Sequence, residues 1–355
     1  MKIGILTFHW ATNYGAVIQC YALQIYLESL GHHVEVINYK PLRYIDSLYS
    51  FFRYRKFLHL REYLNTQKKE KSLESFRDLH LNLTEQIHTC SAVGEVASRY
   101  DLIISGSDQV TNPYFLQKGE GLNIVTPTYF LGFPFNGKRI GYALSFGCTV
   151  YPSEAKHLAI SFLDKFDAIS VRERSGIEIA KSMGREDVDV VPDPTLLMST
   201  QFYLSLVEES MKMWSGSFIY GFFIRNINDR KIVINRIFKD KHIVWNNKDG
   251  DYSMQGWLSK INHSNLVITD SFHCVVMCLK LHKQFIVVTE KEGNVGMNDR
   301  LFTLLSPLEL EDRIISKSNL EKMSNTDNFK DICWLEVDSK LSEYSQIGKI
   351  FLSNL

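Results

Sequence analysis

The sequence predicts an α/β protein of two domains, each built around a parallel sheet. Short apolar runs alternate with helical stretches, and many of these runs end in Gly, Ser, Asp or Arg, as YDLIISGSDQ and DAISVRERSG do. Apolar strands with polar carboxyl ends are typical of parallel sheets that bind ligands at that edge. The alternation pauses near residues 200–215 and starts again at SFIYGFFIRN. A chain of 355 residues is also long enough for two domains of ordinary size.

The first domain is predicted over residues 1–205 and begins with a strand, a turn, a helix and a second strand. MKIGILTF is apolar, VIQCYALQIYLESLG has helical spacing and a Gly stop, and HVEVINY is again strand-like. The turn carries Asn13 and Gly15, and small residues there would let a ligand approach the amino end of the helix. The pattern alone is weakly specific, because many α/β proteins begin in this way.

A basic and aromatic insertion interrupts this domain at about residues 41–95. Between Leu42 and Tyr63 the chain has five basic and two acidic residues among many aromatic ones. Such a segment suits the surface of an anionic membrane, with the aromatic rings at the interface. A helical hairpin that packs on its own domain explains the same composition, and both interpretations stay open.

The second domain is predicted over residues 215–335. KHIVWNN, SNLVITDSFH and QFIVVTE continue the strand series that SFIYGFFIRN begins. Residues 336–355 then have apolar side chains at helical spacing, which predicts a closing C-terminal helix. The apolar positions are Val337, Leu341, Tyr344, Ile347 and Phe351.

The composition disfavours several classes of function. Forty basic and forty acidic residues give a formal net charge of zero, so any anion must be bound by a local cluster of cations, and generic nucleic-acid binding is disfavoured. The six cysteines are scattered, which predicts reduced thiols and neither a disulfide framework nor a zinc site. The sequence has no H-x-x-H and no P-loop motif, and we expect no metal site.

The amino end of the sequence shows no targeting signal. MKIGILTFHWATNYG is too short and too soon interrupted in its apolar run to be a signal peptide. No stretch reaches the roughly 18 apolar residues that a spanning helix needs. We therefore expect a cytoplasmic protein, located at the inner face of the membrane if the basic insertion binds lipid.

Several of these segments together carry a family resemblance. They occur in the order NYGAVIQCYAL, ISGSDQVTNP, YALSFG, ISVRERSG, DPTLL and ITDSFHCVVMCLKLHKQFIVV, followed by WLEVDSKL in the closing helix. In this order and approximate spacing they resemble the polysaccharide pyruvyl transferase family over most of the chain, except for the 41–75 part of the insertion. The resemblance implies a glycosyltransferase B-like fold, in which two Rossmann-like domains face each other across a cleft.

The resemblance also implies an activity. Members of this family transfer the pyruvyl group of phosphoenolpyruvate to a sugar as a ketal and release phosphate. The implied acceptor is a sugar of a polysaccharide or of its lipid-linked precursor, for example on polyprenyl diphosphate. Phosphoenolpyruvate is then a co-substrate, and no further cofactor is expected. Such a site needs an acid, an anion clamp, and a base or an oriented acceptor.

Two residues match catalytic positions of the family. Arg172, in ISVRERSG, matches an arginine that binds phosphoenolpyruvate, and a planar guanidinium suits a carboxylate or a phosphate. The alternative for Arg172 is a surface salt bridge with a neighbour such as Glu173. His273 matches a histidine at the start of a second-domain helix, where it would donate to phosphate or protonate the methylene carbon, because its ordinary pKa is near neutral. The alternative for His273 is a purely structural role.

Three further residues are predicted to bind the donor. Lys291 lies close to the position of a family lysine, and its alternative is a solvated side chain between two glutamates. Arg225 ends the first strand of the second domain, where it would point toward the cleft. Ser271 stands where many relatives carry Arg, so the site is either one cation short or takes that cation from Arg225 or Lys291. Thr269 or Ser271 is also expected to cap the helix, and the cap and the site would then coincide.

The predicted acceptor residues follow strands of the first domain. Side-chain carboxylates and amides are the groups that usually bind paired sugar hydroxyls. Asp108 is our candidate for orienting or deprotonating an acceptor hydroxyl, and is therefore also a catalytic candidate. Asp193, in PDPT, is expected to cap the following element instead. The acceptor set is Asn13, Gly15, Asp108, Gln109 and Ser145.

Two other functions stay open. A nucleotide-sugar glycosyltransferase would keep the same fold and change the donor. A non-catalytic carbohydrate-binding relative would keep the fold and lose the activity, and Ser271 and Cys274 leave room for this because both depart from the common family pattern.

Overall fold

The computed structural model describes residues 1–44, 60–118, 122–210, 214, 216–225, 227–246, 250–293, 296–323 and 330–355. These residues form two compact units, Met1–Leu197 with Ser345–Leu355, and Met198–Tyr344. Most of the basic and aromatic segment between Leu42 and Tyr63 lies outside the described residues, so the membrane-surface hypothesis concerns residues that are not described. In the described ranges, no helix is both long and apolar enough to cross a membrane.

The first unit is built on a parallel sheet with strand order β2-β1-β3-β4-β5-β6. Ile103 belongs to one buried apolar cluster, whereas Leu102 and Ile104 belong to another. Because neighbouring side chains of a strand point to opposite faces, the two clusters cover both faces of the sheet. The strands are β1 (Lys2–Leu6), β2 (His33–Val36), β3 (Leu102–Ser105), β4 (Lys138–Leu144), β5 (Ala168–Val171) and β6 (Val188–Val190).

Helices connect these strands and cover the sheet. The first helix begins at Tyr14 because Asn13 has an extended backbone and its Oδ1 accepts the Gly15 N–H at 2.8 Å. The helices of this unit are α1 (Tyr14–Ser29), α2 (Leu60–His80), α3 (Cys90–Ala97), α4 (Pro113–Lys118), α5 (Leu122–Tyr129), α6 (Ser153–Leu163) and α7 (Ser175–Ser182). Of these, α2 and α3 lie in or at the end of the range predicted as an insertion.

The second unit has a parallel sheet with strand order β11-β10-β9-β7-β8. Its strands are β7 (Ile219–Phe222), β8 (Ile243–Trp245), β9 (Leu266–Thr269), β10 (Phe285–Thr289) and β11 (Ile314–Ser316). Its helices are α8 (Thr200–Glu208), α9 (Ile227–Ile237), α10 (Met254–His263), α11 (Phe272–Lys280), α12 (Asp299–Leu305) and α13 (Lys317–Lys322). The predicted α/β class with two parallel sheets is therefore confirmed.

The C-terminal helix, α14, spans Trp334–Ser353 and so belongs to both units. Leu352 is 1% exposed and lies in a core cluster of the first unit with Leu23 and Leu27. Gly348 lies so close to Tyr142 that an added Cβ would be 2.5 Å from the tyrosine Oη. Residues 345–355 are thus an integral part of the first unit.

Candidate active site

Arg172 lies at the carboxyl end of β5, buried among three carboxylates. Its Nη1 donates to Asp193 Oδ2 at 2.9 Å and its Nη2 to Asp108 Oδ1 at 3.4 Å. Its Nε lies 3.8 Å from Glu173 Oε2. The guanidinium side chain is 1% exposed, so the alternative of a surface salt bridge does not describe this residue.

The charges around Arg172 explain why it stays protonated. Burial alone would lower the pKa of Arg172, but the carboxylates of Asp108, Asp193 and Glu173 more than offset burial, and the pKa is raised. Three carboxylates around one guanidinium leave an excess of negative charge. The cluster therefore suits hydroxyl groups or cations better than it suits an anion.

Asp193 fixes the inner side of Arg172. Its Oδ1 accepts the Thr195 N–H at 3.1 Å and the Thr195 hydroxyl at 2.7 Å, and thereby caps the short 3-10 helix Pro194–Leu196. Its Oδ2 accepts Ser107 Oγ at 3.1 Å in addition to Arg172. The predicted cap is confirmed, but the sequence did not indicate that the same carboxylate binds Arg172.

Asp108 is the most exposed carboxylate of the cluster. Its side chain is 13% exposed, against 0% for Asp193 and 3% for Glu173. The backbone places it there by an unusual path: Asp108 has φ +76°, Gly106 has φ +108°, and the peptide bond between Gly106 and Ser107 is cis. An added Cβ on Gly106 would be 2.4 Å from the Tyr142 carbonyl oxygen, so this turn requires glycine. The loop that carries Asp108 therefore depends on Gly106 for its backbone path.

The other predicted acceptor residues near Asp108 are buried and already hydrogen-bonded. Ser145 Oγ donates to Glu173 Oε1 at 2.8 Å, and the Gly147 N–H donates to the same oxygen at 3.2 Å. Gln109 Oε1 accepts Asn112 Nδ2 at 2.6 Å. Both Ser145 and Gln109 therefore support the loops after β3 and β4, and Asp108 is the member of this set with the most accessible side chain.

The turn after β1 lies beside the loop of Asp108, because β1 and β3 are neighbours in the sheet. Thr7 Oγ1 donates to the Ser107 carbonyl at 2.8 Å and joins the two loops. Asn13 and Gly15 follow in this turn, with the Asn13 side chain used for the helix cap described above. The structure thus brings Asn13, Gly15 and Asp108 to one edge of the first sheet.

Helix α2 of the insertion is attached to the same turn. Glu70 accepts the Thr12 hydroxyl at 2.6 Å and pairs with Arg77 at 2.6 Å. The neighbouring Lys69 places its Nζ 4.2 Å from the centroid of the Tyr14 ring, and burial lowers the pKa of Lys69 to about 8. The hairpin interpretation predicted that the insertion packs on its own domain, but the sequence did not indicate these particular contacts.

In the second unit, the polar segment after β9 is a helix cap. Ser271 has an extended backbone, its Oγ accepts the Cys274 N–H at 3.4 Å, and its own N–H donates to Thr269 Oγ1 at 3.0 Å. His273 follows in the first turn of α11 and is 6% exposed. Its ring meets the Phe272 ring edge to face, with centroids 5.2 Å apart. Ser271 is therefore the cap of α11, as the sequence predicted.

Arg225 and Lys291, the two cations predicted to bind the donor, follow the strands that flank β9. Arg225 follows β7, has an exposed side chain, and its Nη2 lies 2.9 Å from Met297 Sδ. Lys291 follows β10 and is exposed, while its carbonyl oxygen accepts Thr289 Oγ1 at 2.9 Å and Asn298 Nδ2 at 3.0 Å. The carboxyl ends of parallel neighbouring strands meet at one edge, so Arg225, Lys291 and the amino end of α11 share that edge.

Arg230 and Arg300 are cations of this edge that the sequence interpretation missed. Arg230 is buried and pairs with Asp270 at 2.6 Å and with Glu290. The Arg300 guanidinium lies 5.8 Å from the centroid of the Phe272 ring. In the sequence, Arg230 stands between Asp229 and Lys231 and looks like a solvated helix residue. Among the described residues, no group of three or more His, Cys, Asp or Glu side chains is arranged to hold a metal ion.

Solved structures with a similar fold include the UDP-GlcNAc 2-epimerase of Methanocaldococcus jannaschii, in complex with UDP-GlcNAc and UDP. The TM-score is 0.51 at 13% sequence identity, over 99% of this chain and 100% of that one. The UDP-GlcNAc 2-epimerase of Neisseria meningitidis also matches, with TM-score 0.45, 12% identity and 100% of both chains. E. coli heptosyltransferase WaaC matches with TM-score 0.39, 12% identity and 98% of both chains. The first similarity concerns the fold alone, and with the two parallel sheets it confirms the predicted glycosyltransferase B-like class.

No curated protein matches the sequence of this chain. The family model described as polysaccharide pyruvyl transferase matches residues 13–292, which is more than half of the chain and includes Asp108, Arg172 and His273. The chain therefore belongs to the polysaccharide pyruvyl transferase family.

Proposed function

We propose that this protein transfers the pyruvyl group of phosphoenolpyruvate to a sugar of a polysaccharide or of its lipid-linked precursor, as a ketal, with release of phosphate. Family membership supports a pyruvyl transferase. The observation that carries the donor assignment is the carboxyl edge of the second sheet, where Arg225, Lys291 and the amino end of α11 follow three adjacent strands. Exposed cations beside a helix amino terminus suit a small, highly charged anion.

The donor residues act on different parts of phosphoenolpyruvate. Arg225 and Lys291 offset the charge of its carboxylate and phosphate. Ser271 sets the start of α11, where backbone N–H groups add to the anion clamp. His273, in the first turn of that helix, donates to the phosphate or delivers a proton to the methylene carbon.

The acceptor residues belong to the first unit. Asp108 orients one sugar hydroxyl and accepts its proton, while Asn13, Gly15, Gln109 and Ser145 shape the loops around it. The resemblance implies that Arg172 contacts the donor. Because both of its Nη atoms are hydrogen-bonded to carboxylates, we assign Arg172 to holding Asp108 in place.

The reaction then balances in protons and bonds. The methylene carbon gains a proton and becomes the methyl group, and the adjacent carbon becomes electron-poor. One sugar hydroxyl adds to that carbon and loses its proton. The C–O bond to phosphate breaks, and a second hydroxyl of the sugar closes the ketal. Two hydroxyl protons are lost in total, one matched by the new methyl C–H bond and one leaving with phosphate.

The direct test is acceptor-dependent chemistry. We would incubate the protein with phosphoenolpyruvate and a panel of free and lipid-linked galactosides, mannosides and N-acetylhexosamines. Mass spectrometry should find the pyruvyl ketal, and phosphate should be released only when the right acceptor is present. His273→Ala should lower turnover by on the order of 100-fold, the scale of losing one preorganised donor. Turnover close to that of the unsubstituted protein would exclude His273 from the site.

Binding measurements separate the two alternative functions from this one. In thermal-shift measurements, stabilisation by uridine or guanosine nucleotides and not by phosphoenolpyruvate would indicate a nucleotide-sugar glycosyltransferase. Sugar binding without phosphate release from phosphoenolpyruvate would indicate a non-catalytic carbohydrate-binding protein. A lipid-linked acceptor would place the enzyme at the inner face of the cytoplasmic membrane, and sedimentation with anionic vesicles that salt reverses would support that location.

A further inference from the structure

Arg230 is a buried arginine at the carboxyl edge of the second sheet. It is the fourth residue of α9, and its side chain is 1% exposed. Its guanidinium lies 5.0 Å from the centroid of the Phe223 ring. A buried guanidinium is unfavourable unless its N–H donors are paired, so the position of Arg230 depends on specific partners.

These partners come from three different loops. Nη1 donates to Asp270 Oδ2 at 2.6 Å and to the Arg225 carbonyl oxygen at 3.1 Å, and Nη2 donates to Glu290 Oε1. Asp270 follows β9, Arg225 follows β7 and Glu290 follows β10. One planar guanidinium therefore joins the ends of three neighbouring strands, which a lysine ammonium with its compact charge does not reproduce.

This arrangement fixes the backbone of Arg225 on both sides. The Arg225 N–H donates to Asp270 Oδ2 at 3.1 Å, and its carbonyl accepts from Arg230. The Ile224 N–H donates to Asp270 Oδ1 at 2.7 Å. The Arg225 side chain itself is exposed and has no carboxylate partner within the described residues. The backbone of Arg225 is therefore fixed, while its guanidinium remains exposed and can bind an anion.

The same guanidinium sets the path of the chain after β10. Lys291 directly follows Glu290, so the pair between Glu290 and Arg230 determines where Lys291 leaves the strand. Asp270 directly precedes Ser271, the cap of α11. Arg230 is thus linked to Arg225, to Lys291 and to the start of α11, which are the three contributors to the anion clamp. It contacts none of the groups with which they would bind the anion.

We propose that Arg230 is a positioning residue of the donor site, which holds Arg225 and Lys291 so that both cations reach the same anion. This inference rests on the proposed function, since it takes that anion to be phosphoenolpyruvate. We assign Arg230 to positioning and not to donor binding, because its side chain is buried and three of its Nη hydrogen bonds go to Asp270, Glu290 and the Arg225 carbonyl.

Steady-state kinetics provide the first test. Arg230→Lys and Arg230→Gln should raise the KM for phosphoenolpyruvate roughly 10- to 100-fold, the scale of a small misplacement of binding groups, and leave the KM for the acceptor within about twofold. Glu290→Gln should have a smaller effect in the same direction, because it removes one partner only. Arg236→Gln, on the same helix and bonded to the Glu321 carbonyl at the surface, is the matched control and should change neither constant. Equal KM changes for donor and acceptor would overturn the inference.

A double-substitution cycle distinguishes positioning from a general structural role. If Arg230 acts through Arg225, then Arg230→Gln should have much less effect on the KM for phosphoenolpyruvate in an Arg225→Ala protein than in the unsubstituted one. Independent, multiplicative effects of the two substitutions would contradict the proposed route.

Hydrogen exchange separates this inference from the proposed function. In Arg230→Gln, the amides of Ile224 and Arg225 should exchange at least tenfold faster than in Arg236→Gln, with no donor present, because Asp270 is no longer held. If that result is obtained but phosphoenolpyruvate neither binds nor reacts, only the proposed function fails. If exchange is unchanged, the positioning role of Arg230 fails, whatever the reaction is.

Discussion

Arg172 and Asp193 form a buried ion pair, with Nη1 and Oδ2 2.9 Å apart and both side chains at most 1% exposed. Asp193 accepts three other hydrogen bonds from Thr195 and Ser107, so its position does not depend on Arg172. The arginine, in contrast, joins this rigid carboxylate to the more exposed Asp108. The pair with Asp193 therefore fixes Arg172, and Arg172 in turn restricts the position of Asp108, the most exposed carboxylate of the cluster.

Replacing Asp193 by Asn should be strongly destabilising. The substitution leaves Arg172 buried without its closest counter-charge, and breaking a buried ion pair from one side costs about 3–5 kcal/mol. Urea unfolding of Asp193→Asn measures the loss in the free energy of unfolding. The control is Asp187→Asn, which breaks an ion pair with Arg185. The Asp187 side chain is 66% exposed, so this substitution should cost less than about 1 kcal/mol. Equal losses for the two variants would argue against a buried, paired Arg172.

Replacing Asp108 by Asn should affect turnover more than stability. The amide keeps the shape and one acceptor oxygen toward Arg172, but it cannot take a proton from a sugar hydroxyl. We expect kcat to fall by about 10²–10⁴-fold, the range for losing a general base. The thermal shift on adding phosphoenolpyruvate should be unchanged, because Asp108 is assigned to the acceptor. An unchanged kcat would remove Asp108 from the mechanism.

Gly106→Ala should disturb the loop of Asp108 through a steric clash. Gly106 has φ +108°, and an added Cβ would be 2.4 Å from the Tyr142 carbonyl oxygen. Gly184 has φ +94° with nothing within 4 Å of the added Cβ, so Gly184→Ala carries the backbone cost without the clash. Gly106→Ala should lower the free energy of unfolding by about 1–3 kcal/mol more than Gly184→Ala does, which is the usual cost of overpacking. A difference near zero would mean that the loop relaxes around the new atom.

Acid should destabilise the first unit through His9. This ring is 1% exposed and lies between the Thr7 carbonyl and the Asn38 side chain, and burial lowers its pKa to about 4. Well above pH 6.5 the ring is neutral in both the folded and the unfolded states. Below that pH the unfolded chain binds a proton that the folded chain does not, so the free energy of unfolding falls as the pH drops toward about 4, by up to about 3 kcal/mol. Urea unfolding at several pH values should show this slope, and His9→Gln should remove it; the same slope in both proteins would contradict the assignment.

The sequence predicted the fold class and the edges of the sheets because both follow from local patterns. Apolar runs that end in polar residues indicated the strands after which Asp108, Arg172 and Arg225 lie. The serine before an apolar helix indicated the cap at Ser271. These signals involve residues within a few positions of each other, so one sequence is enough to detect them.

The pairing of buried charges was not predictable in this way. Arg230 contacts Asp270 and Glu290, which are 40 and 60 residues away in the chain. Arg172 contacts Asp108, which is 64 residues away. Periodicity indicates which apolar residues are buried. It does not show which arginine is buried because it pairs with a carboxylate far away in the sequence.

The last residues of helix α14 belong to the first unit, although the second unit separates them in the chain from the rest of that unit, and this order matters for synthesis on the ribosome. The first unit needs residues 345–355, and Leu352 completes a cluster that already contains Leu23 and Leu27. Its amino-terminal sheet is therefore translated long before its core can close, and it must wait while all of the second unit emerges. During that interval the apolar residues of this cluster, including Leu23 and Leu27, lack the contacts that Leu352 supplies in the folded unit.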